Sequence, residues 1–185
     1  MAMTDEEYML RAVELAKKGT GWTNPNPLVG AVIVKDGRII GEGYHKKYGE
    51  LHAEREALAS ANEDVSGATI YVTLEPCCHY GKQPPCVNAI IEAGIKRVVI
   101  GSYDPNPLVA GKGVDILREH NITVDDKLVC SEECKSLNYV FFNYIKEKKP
   151  YVILKYAQSL DGKIATHTGL SQWITGETAR NKVHM

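Results

Sequence analysis

Apolar residues recur at helical spacing over the first twenty positions. Met9, Val13 and Ala16 follow one another at about one turn, Leu10 and Leu15 lie beside them, and Gly19 closes the run. Thr4 stands where an N-cap belongs and Glu7 completes a capping box three residues later, so a helix is predicted to open after Thr4. The stretch Thr23-Asn24-Pro25-Asn26-Pro27 cannot continue a helix, because each proline pushes its predecessor toward extended geometry. Two apolar, β-branched runs follow, Leu28 to Val34 and Arg38 to Tyr44. Lys35-Asp36-Gly37 joins them, and Asp-Gly between such runs predicts a hairpin.

The pattern then alternates between helix and strand. Leu51 to Asn62 is rich in Ala, Glu and Leu and reads as a helix. Ala68 to Leu74 reads as a strand, Val87 to Ala93 as a helix stopped by Gly94, and Arg97 to Gly101 as a continuously apolar strand. Lys112 to His120 is predicted as helix, Ile122 to Val124 as a short strand, and Ser131 to Phe142 as one further helix ending in an aromatic cluster. A hairpin followed by strand, helix, strand, helix, strand implies an α/β protein with a mixed central sheet covered on both faces. Lys146-Glu147-Lys148-Lys149-Pro150 is a charged break and the expected domain boundary, separating a domain over 1–147 from a segment over 148–185. Tyr151 to Tyr156 is predicted to begin a new strand. The 35 residues after Pro150 are too few for an independent α/β domain, so the sequence reads as a piece of a longer chain.

Composition narrows the class. The chain has 185 residues, 44% of them hydrophobic, and a formal net charge of -1. A general nucleic-acid surface would carry a basic excess, so no nucleic-acid partner is expected. No apolar run is long enough for a helical membrane span, and the stretch from Met1 to Tyr8 is polar and acidic rather than a signal peptide. Five unevenly spaced cysteines fit a reducing compartment better than a disulfide framework, which places the protein in the cytoplasm. The aromatic stretch from Tyr139 to Tyr144 and the sheet edges point to a homo-oligomer.

The candidate chemistry lies in two stretches. One is His52-Ala53-Glu54. The other runs from Pro76-Cys77-Cys78-His79 to Cys86. A hydrolytic zinc site needs three protein ligands and an open fourth position, and His52, Cys77 and Cys86 supply the three. Glu54 would stay off the metal and carry protons. His52 and Glu54 would point about 200° apart on an ideal helix, so both can face one metal only if His52 sits at the helix start. Taken singly, His52 reads as a partly buried histidine and the cysteines as small apolar residues; the combination is what points to a metal. A structural zinc site would close with a fourth protein ligand, Cys78 or His79, but Cys78 adjoins Cys77 and their side chains diverge. Lys82 lies between two of the ligands and cannot be far from the site. Cys130 and Cys134 read as core or surface thiols. Asn24-Pro25-Asn26-Pro27 and Asp104-Pro105-Asn106-Pro107 read as loops, either simple turns or functional ones.

H-x-E followed by P-C and a later cysteine is the zinc deaminase signature, except that eight residues rather than two separate the cysteines. With Asn24 to Val32, Gly41 to His45, Tyr71 to Lys82, Gly101 to Pro107 and Val152 to Thr166, the chain closely resembles the deaminase half of the bifunctional riboflavin-biosynthesis deaminase/reductase, and the last segment resembles the opening of the reductase half. The eight-residue interval is that family's own form. The resemblance implies a three-layer α/β/α cytidine-deaminase-like fold with one zinc per deaminase site. It implies hydrolytic deamination of 2,5-diamino-6-(5-phosphoribosylamino)pyrimidin-4-one to the corresponding aminouracil phosphate and ammonia. It also implies substrate contacts at Asn26, His45, His79, Lys82, Asp104 and Asn106, and NADPH chemistry only where a full reductase domain is present. A deaminase of free cytosine, guanine or tRNA adenosine is the rival enzyme, and a zinc-stabilised binding module the rival of another class.

Overall fold

A computed structural model describes residues 3–107, 109–125 and 127–183. The chain divides into two compact units, Met1–Lys149 and Pro150–Met185. The outer ends of the two expected domains, Met1 and Met185, lie outside the described residues.

The first unit opens with α1 (Asp5–Lys17). Thr4 accepts the Glu7 amide and Glu7 reaches back to the Thr4 amide, which is the predicted capping box. The hairpin β1 (Gly30–Lys35) and β2 (Arg38–Tyr44) turns through Asp36 and Gly37, both at positive φ, as a two-residue turn matched to strand twist requires. There follow α2 (Ala53–Ala59), β3 (Thr69–Val72), α3 (Cys86–Glu92), β4 (Arg97–Ile100), α4 (Lys112–Glu119) and β5 (Thr123–Val124). The strands form one sheet in the order β2-β1-β3-β4-β5. β1 runs antiparallel to β2 and β3, while β3, β4 and β5 are parallel, so the sheet is mixed as expected.

Strand alternation sorts the core into two layers. Ala31, Ile33, Ile70, Val72, Val98 and Ile100 face a cluster with Ala53 and Ala57 of α2, Val87 and Ile90 of α3, and Val114 and Leu117 of α4. Val32, Val34, Tyr71 and Val99 face the other way, onto Tyr8, Met9, Ala12 and Val13 of α1 and onto Cys134. The result is the three-layer α/β/α arrangement. At its edge Arg97 joins α1 to the sheet, pairing with Asp5 and Asp125 while Tyr71 Oη donates to Asp5.

Two expectations need correction. The single helix expected over Ser131 to Phe142 is two, α5 (Ser131–Ser136) and α6 (Tyr139–Glu147). Buried Asn138 breaks it. Its side chain receives the Leu28 amide and donates to the Leu28 carbonyl, both at 2.7 Å, serving as a strand partner for a loop that has none. The strand expected over Tyr151 to Tyr156 does not form among the described residues of the second unit. A strand exists only with a ladder partner, and Val152 and Leu154 are each 82% exposed. That unit contains a tight turn at Ser159–Lys163 and a helix, α7 (Glu177–Val183). Among the described residues no helix is long and apolar enough to cross a membrane.

The topology gathers one edge. Chain leaving β3 and β4 emerges where chain enters β1 and leaves β2, because Ala31 pairs with Val72 and Gly30 with Tyr44. Loops around residues 26, 45, 77 and 104 therefore share one side of the sheet. Helix α2 can settle here because β2 presents Gly41 and Gly43 beneath it. A Cβ at Gly43 would meet the Ala57 amide and the Ala53 carbonyl. We expect Gly43→Ala to push α2 off the sheet and to cost about 2–4 kcal/mol in chemical denaturation. An unchanged denaturation midpoint would show that this contact is not tight.

Candidate metal centre and its cleft

His52 is the residue just before α2, with extended backbone (φ -75°, ψ 161°). That geometry resolves the angular problem raised by the sequence. His52 leaves the chain before the helical trajectory begins, while Glu54 leaves from its first turn, and both reach the same point. Cys77 follows β3 by five residues. Cys86 is the first residue of α3 and is fully buried. Its amide donates to Cys77 Sγ at 3.4 Å, and the Val87 amide donates to the Cys77 carbonyl. The start of α3 is thus fastened around the first cysteine.

The three side chains converge. His52 Nδ1 lies 3.5 Å from Cys77 Sγ and 3.4 Å from Cys86 Sγ, and all three donor atoms fall within 4.8 Å of one another. Tetrahedral zinc with ordinary Zn–S and Zn–N bonds spaces sulfur and nitrogen about 3.6 Å apart, so the donor set fits that ion in both chemistry and spacing. Among the described residues no fourth metal-binding side chain joins the group. Cys78 packs against the main core instead, and His79 lines the cleft.

The protonation pattern follows from crowding. Hydrogen bonds from Cys86 and His52 hold the Cys77 thiol down to about 4, whereas its bond to Cys77 and its burial push Cys86 well up. One negative charge settles on the outer sulfur and keeps the inner thiol neutral. A divalent cation between them removes the reason for the second proton to stay. Burial, with the nearby Cys77 sulfur, raises the Glu54 carboxyl to about 7. Glu54 is buried beside the three donors but is not one of the group.

A cleft of about 310 Å³ opens onto this centre. Asn26, His45, His79, Lys82, Asp104 and Asn106 all line it, together with Glu54, His52 and Cys77. Cys86 stands behind the wall. His45 Nδ1 lies 2.9 Å from the Leu51 carbonyl, which can only accept, so the proton is on Nδ1 and Nε2 accepts from Asn26 Nδ2 at 3.2 Å. Burial lowers the His45 pKa and keeps the ring neutral. Its two bonds orient Asn26 and hold the backbone that delivers His52. Asp104 Oδ1 receives the Asn106 amide at 2.8 Å, a local turn that sets both residues on one rim, and burial raises the Asp104 carboxyl.

Of the segment between the cysteines, His79, Gly81, Lys82 and Gln83 form another side of the cleft. Gln83 Nε2 donates to the Gly49 carbonyl, and Lys82 Nζ sits 4.1 Å over the Tyr48 ring. Tyr48, Gly49, Gln83, Glu75 and Phe141 escape a reading of the sequence alone. Glu75 carries a signal in hindsight, an acidic residue inside an apolar strand exit two residues before a ligand; Phe141 carries none.

The family described as "Cytidine and deoxycytidylate deaminase zinc-binding region" matches residues 2–102, and the "RibD C-terminal domain" matches residues 150–185. A "Riboflavin biosynthesis protein RibD" of Actinobacillus pleuropneumoniae is 61% identical over 98% of this chain and 48% of its own. The crystal structure of a Thermotoga maritima diaminohydroxyphosphoribosylaminopyrimidine deaminase/5-amino-6-(5-phosphoribosylamino)uracil reductase is 57% identical, with TM-score 0.91 over 97% of this chain and 52% of that one. A RibD structure from Acinetobacter baumannii is 52% identical, with TM-score 0.90 over 97% of this chain and 50% of that one. The chain spans about half the length of these relatives. One imidazole, two cysteine sulfurs and a buried glutamate meet within a matched region that covers more than half of the residues, and the chain therefore belongs to the cytidine and deoxycytidylate deaminase zinc-binding family.

Proposed function

We propose that the protein is the hydrolytic deaminase that converts 2,5-diamino-6-(5-phosphoribosylamino)pyrimidin-4-one to 5-amino-6-(5-phosphoribosylamino)uracil and ammonia, a step of riboflavin formation. The observation that carries this reading is the three-donor set His52, Cys77 and Cys86 with Glu54 buried at its side. The names borne by the relatives from Thermotoga maritima and Actinobacillus pleuropneumoniae support it. The deaminase occupies residues 1–147, and residues 148–185 are a linker and the start of a reductase domain. Where that domain is complete, the ribosyl group is reduced with NADPH. The exposed Tyr139 and Tyr144 of α6 support self-association, and a cytoplasmic setting fits the free cysteines.

His52, Cys77 and Cys86 would hold the zinc. When bound, zinc supplies Lewis acidity, which brings the pKa of water down from its bulk value toward roughly neutral. Glu54 takes a proton from the attacking water as its oxygen bonds to the amine-bearing ring carbon. The same carboxyl passes that proton to the ring nitrogen, then takes the remaining proton from the hydroxyl now on the carbon and delivers it to the departing amine, so that the C–N bond breaks, the carbonyl forms and ammonia leaves. Burial suits Glu54 to both directions, since a carboxyl raised toward neutrality both accepts and donates readily. Pro27, Val29, Leu74 and Phe141 offer apolar walls to the pyrimidine. Asn26, His79, Asp104 and Asn106 meet its polar edge. Lys82, held at the mouth on the Tyr48 ring, suits the phosphate as a point charge.

Ammonia release measured on the phosphoribosylaminopyrimidine, with cytosine, guanine and a tRNA adenosine substrate in parallel, should show turnover on the first alone and its loss on chelation. Turnover on one of the others instead would overturn the assignment. Glu54→Gln is expected to retain zinc and to lose about three powers of ten or more in kcat. Near-normal turnover in that variant would remove Glu54 from proton transfer. Metal analysis should find about one zinc per chain, falling to a small fraction in Cys86→Ser, because two remaining ligands hold the ion poorly. Protein that purifies active and zinc-free would refute the ligand set.

A further inference from the structure

The cleft has two halves that come from different parts of the chain. The metal half hangs from β3 through Pro76 and Cys77. The opposing rim, Asp104 and Asn106, lies in the stretch between β4 and α4, where the described residues have no strand ladder. Something other than a sheet must fix the distance between them.

Glu75 stands between the two. Its own amide donates to the Ser102 carbonyl at 2.9 Å, and its side chain is 3% exposed. Oε2 receives the amides of Asp104 at 3.4 Å and Gly111 at 3.0 Å, the two ends of the irregular stretch. Oε1 receives the amides of Gly113 at 3.1 Å and Val114 at 3.4 Å in the first turn of α4. Among the described residues no lysine, arginine or histidine forms an ion pair with this carboxylate. A buried carboxylate without a cation is costly unless its oxygens are satisfied, and here four backbone amides satisfy them. Gly113 has the same origin: a Cβ there would meet the Pro76 carbonyl and stand 3.2 Å from Glu75 Oε1.

We propose that Glu75 is the positioning residue of the cleft, setting where Asp104 and Asn106 stand relative to the metal ligands and therefore how tightly substrate is held. This rests on the deaminase reading above. Glu75 does not touch the cleft's reacting atoms and takes no part in proton transfer. It acts through the loop it anchors, two residues from a metal ligand on one side and in contact with Asp104 on the other. Replacing one oxygen by an amide group turns two of the four hydrogen bonds into donor–donor contacts and frees the rim.

The test uses zinc-loaded protein and the phosphoribosylaminopyrimidine. Glu75→Gln should keep its zinc and raise KM about tenfold or more, with kcat within about threefold of the unaltered protein. In an Asp104→Ala/Asn106→Ala background the same substitution should add less than about twofold, because both rim side chains it positions are already gone. A KM within twofold of normal, or effects that multiply independently with Asp104→Ala/Asn106→Ala, would overturn the proposal; so would loss of zinc. Amide hydrogen exchange on the unaltered protein tests the anchor even if the variant does not fold. The Gly111 and Gly113 amides should exchange far more slowly than an unprotected loop, and exchange at loop rates would also overturn it. Failure of the unaltered protein to release ammonia is a separate result, and that one defeats the deaminase reading itself.

Discussion

One imidazole with two sulfurs each about 3.5 Å from its Nδ1, all three donor atoms within 4.8 Å of one another, form an arrangement that a protein interior resists. The sulfurs cannot both carry charge so close together without a cation. The low Cys77 and high Cys86 thiols record that conflict, and the buried carboxyl of Glu54 adds to it. Packing energy from elsewhere holds the group in place. Helix α2 lies on Gly41 and Gly43, α3 starts at Cys86, and both bury their apolar faces in the same cluster beneath the sheet. The core of this fold is in that sense the scaffold of a crowded donor set that could hold a metal ion, and a cation between the donors would relieve the crowding.

The mixed topology is what makes the cleft two-sided. In an all-parallel sheet only strand exits would reach this edge. Here the antiparallel β1 and β2 bring an entry and an exit to it as well, which is how Asn26 and His45 come to face Asp104 and Asn106. His45 then couples the layers. With one nitrogen it orients Asn26, and with the other it fixes the carbonyl next to His52. The eight-residue interval between the cysteines closes the remaining side, since a two-residue interval could not reach Tyr48 and Gly49.

Much of this was legible from residues alone, but unevenly. The capping box at Thr4 and Glu7 and the Asp36-Gly37 turn are local devices, decided within four residues of chain, and they stand where the sequence puts them. The helix expected across Asn138 failed for the opposite reason. Its apolar spacing continues, yet the Asn138 side chain is committed to Leu28, 110 positions away. No window along the chain contains that partner. The segment at Tyr151 has strand composition but no ladder to join in its own unit, and β propensity without a neighbour does not make a strand.

What the sequence determined by itself is the chemistry: which atoms are imidazole, thiolate and carboxylate, the three-layer alternation of helix and strand, and the turns. Those follow from side-chain identity and from interactions a few residues long. The tertiary structure decided which of these groups meet. It set His52 ahead of the helix so that it shares a centre with Glu54, sent Cys78 into the core, and placed Tyr48, Gln83 and Phe141 around the cleft. It also gave Glu75 its four amides, three of them more than thirty-five residues away. Such contacts depend on the sheet register and on how closely the helices approach, and these are settled by burial across the whole unit rather than by neighbours in the chain.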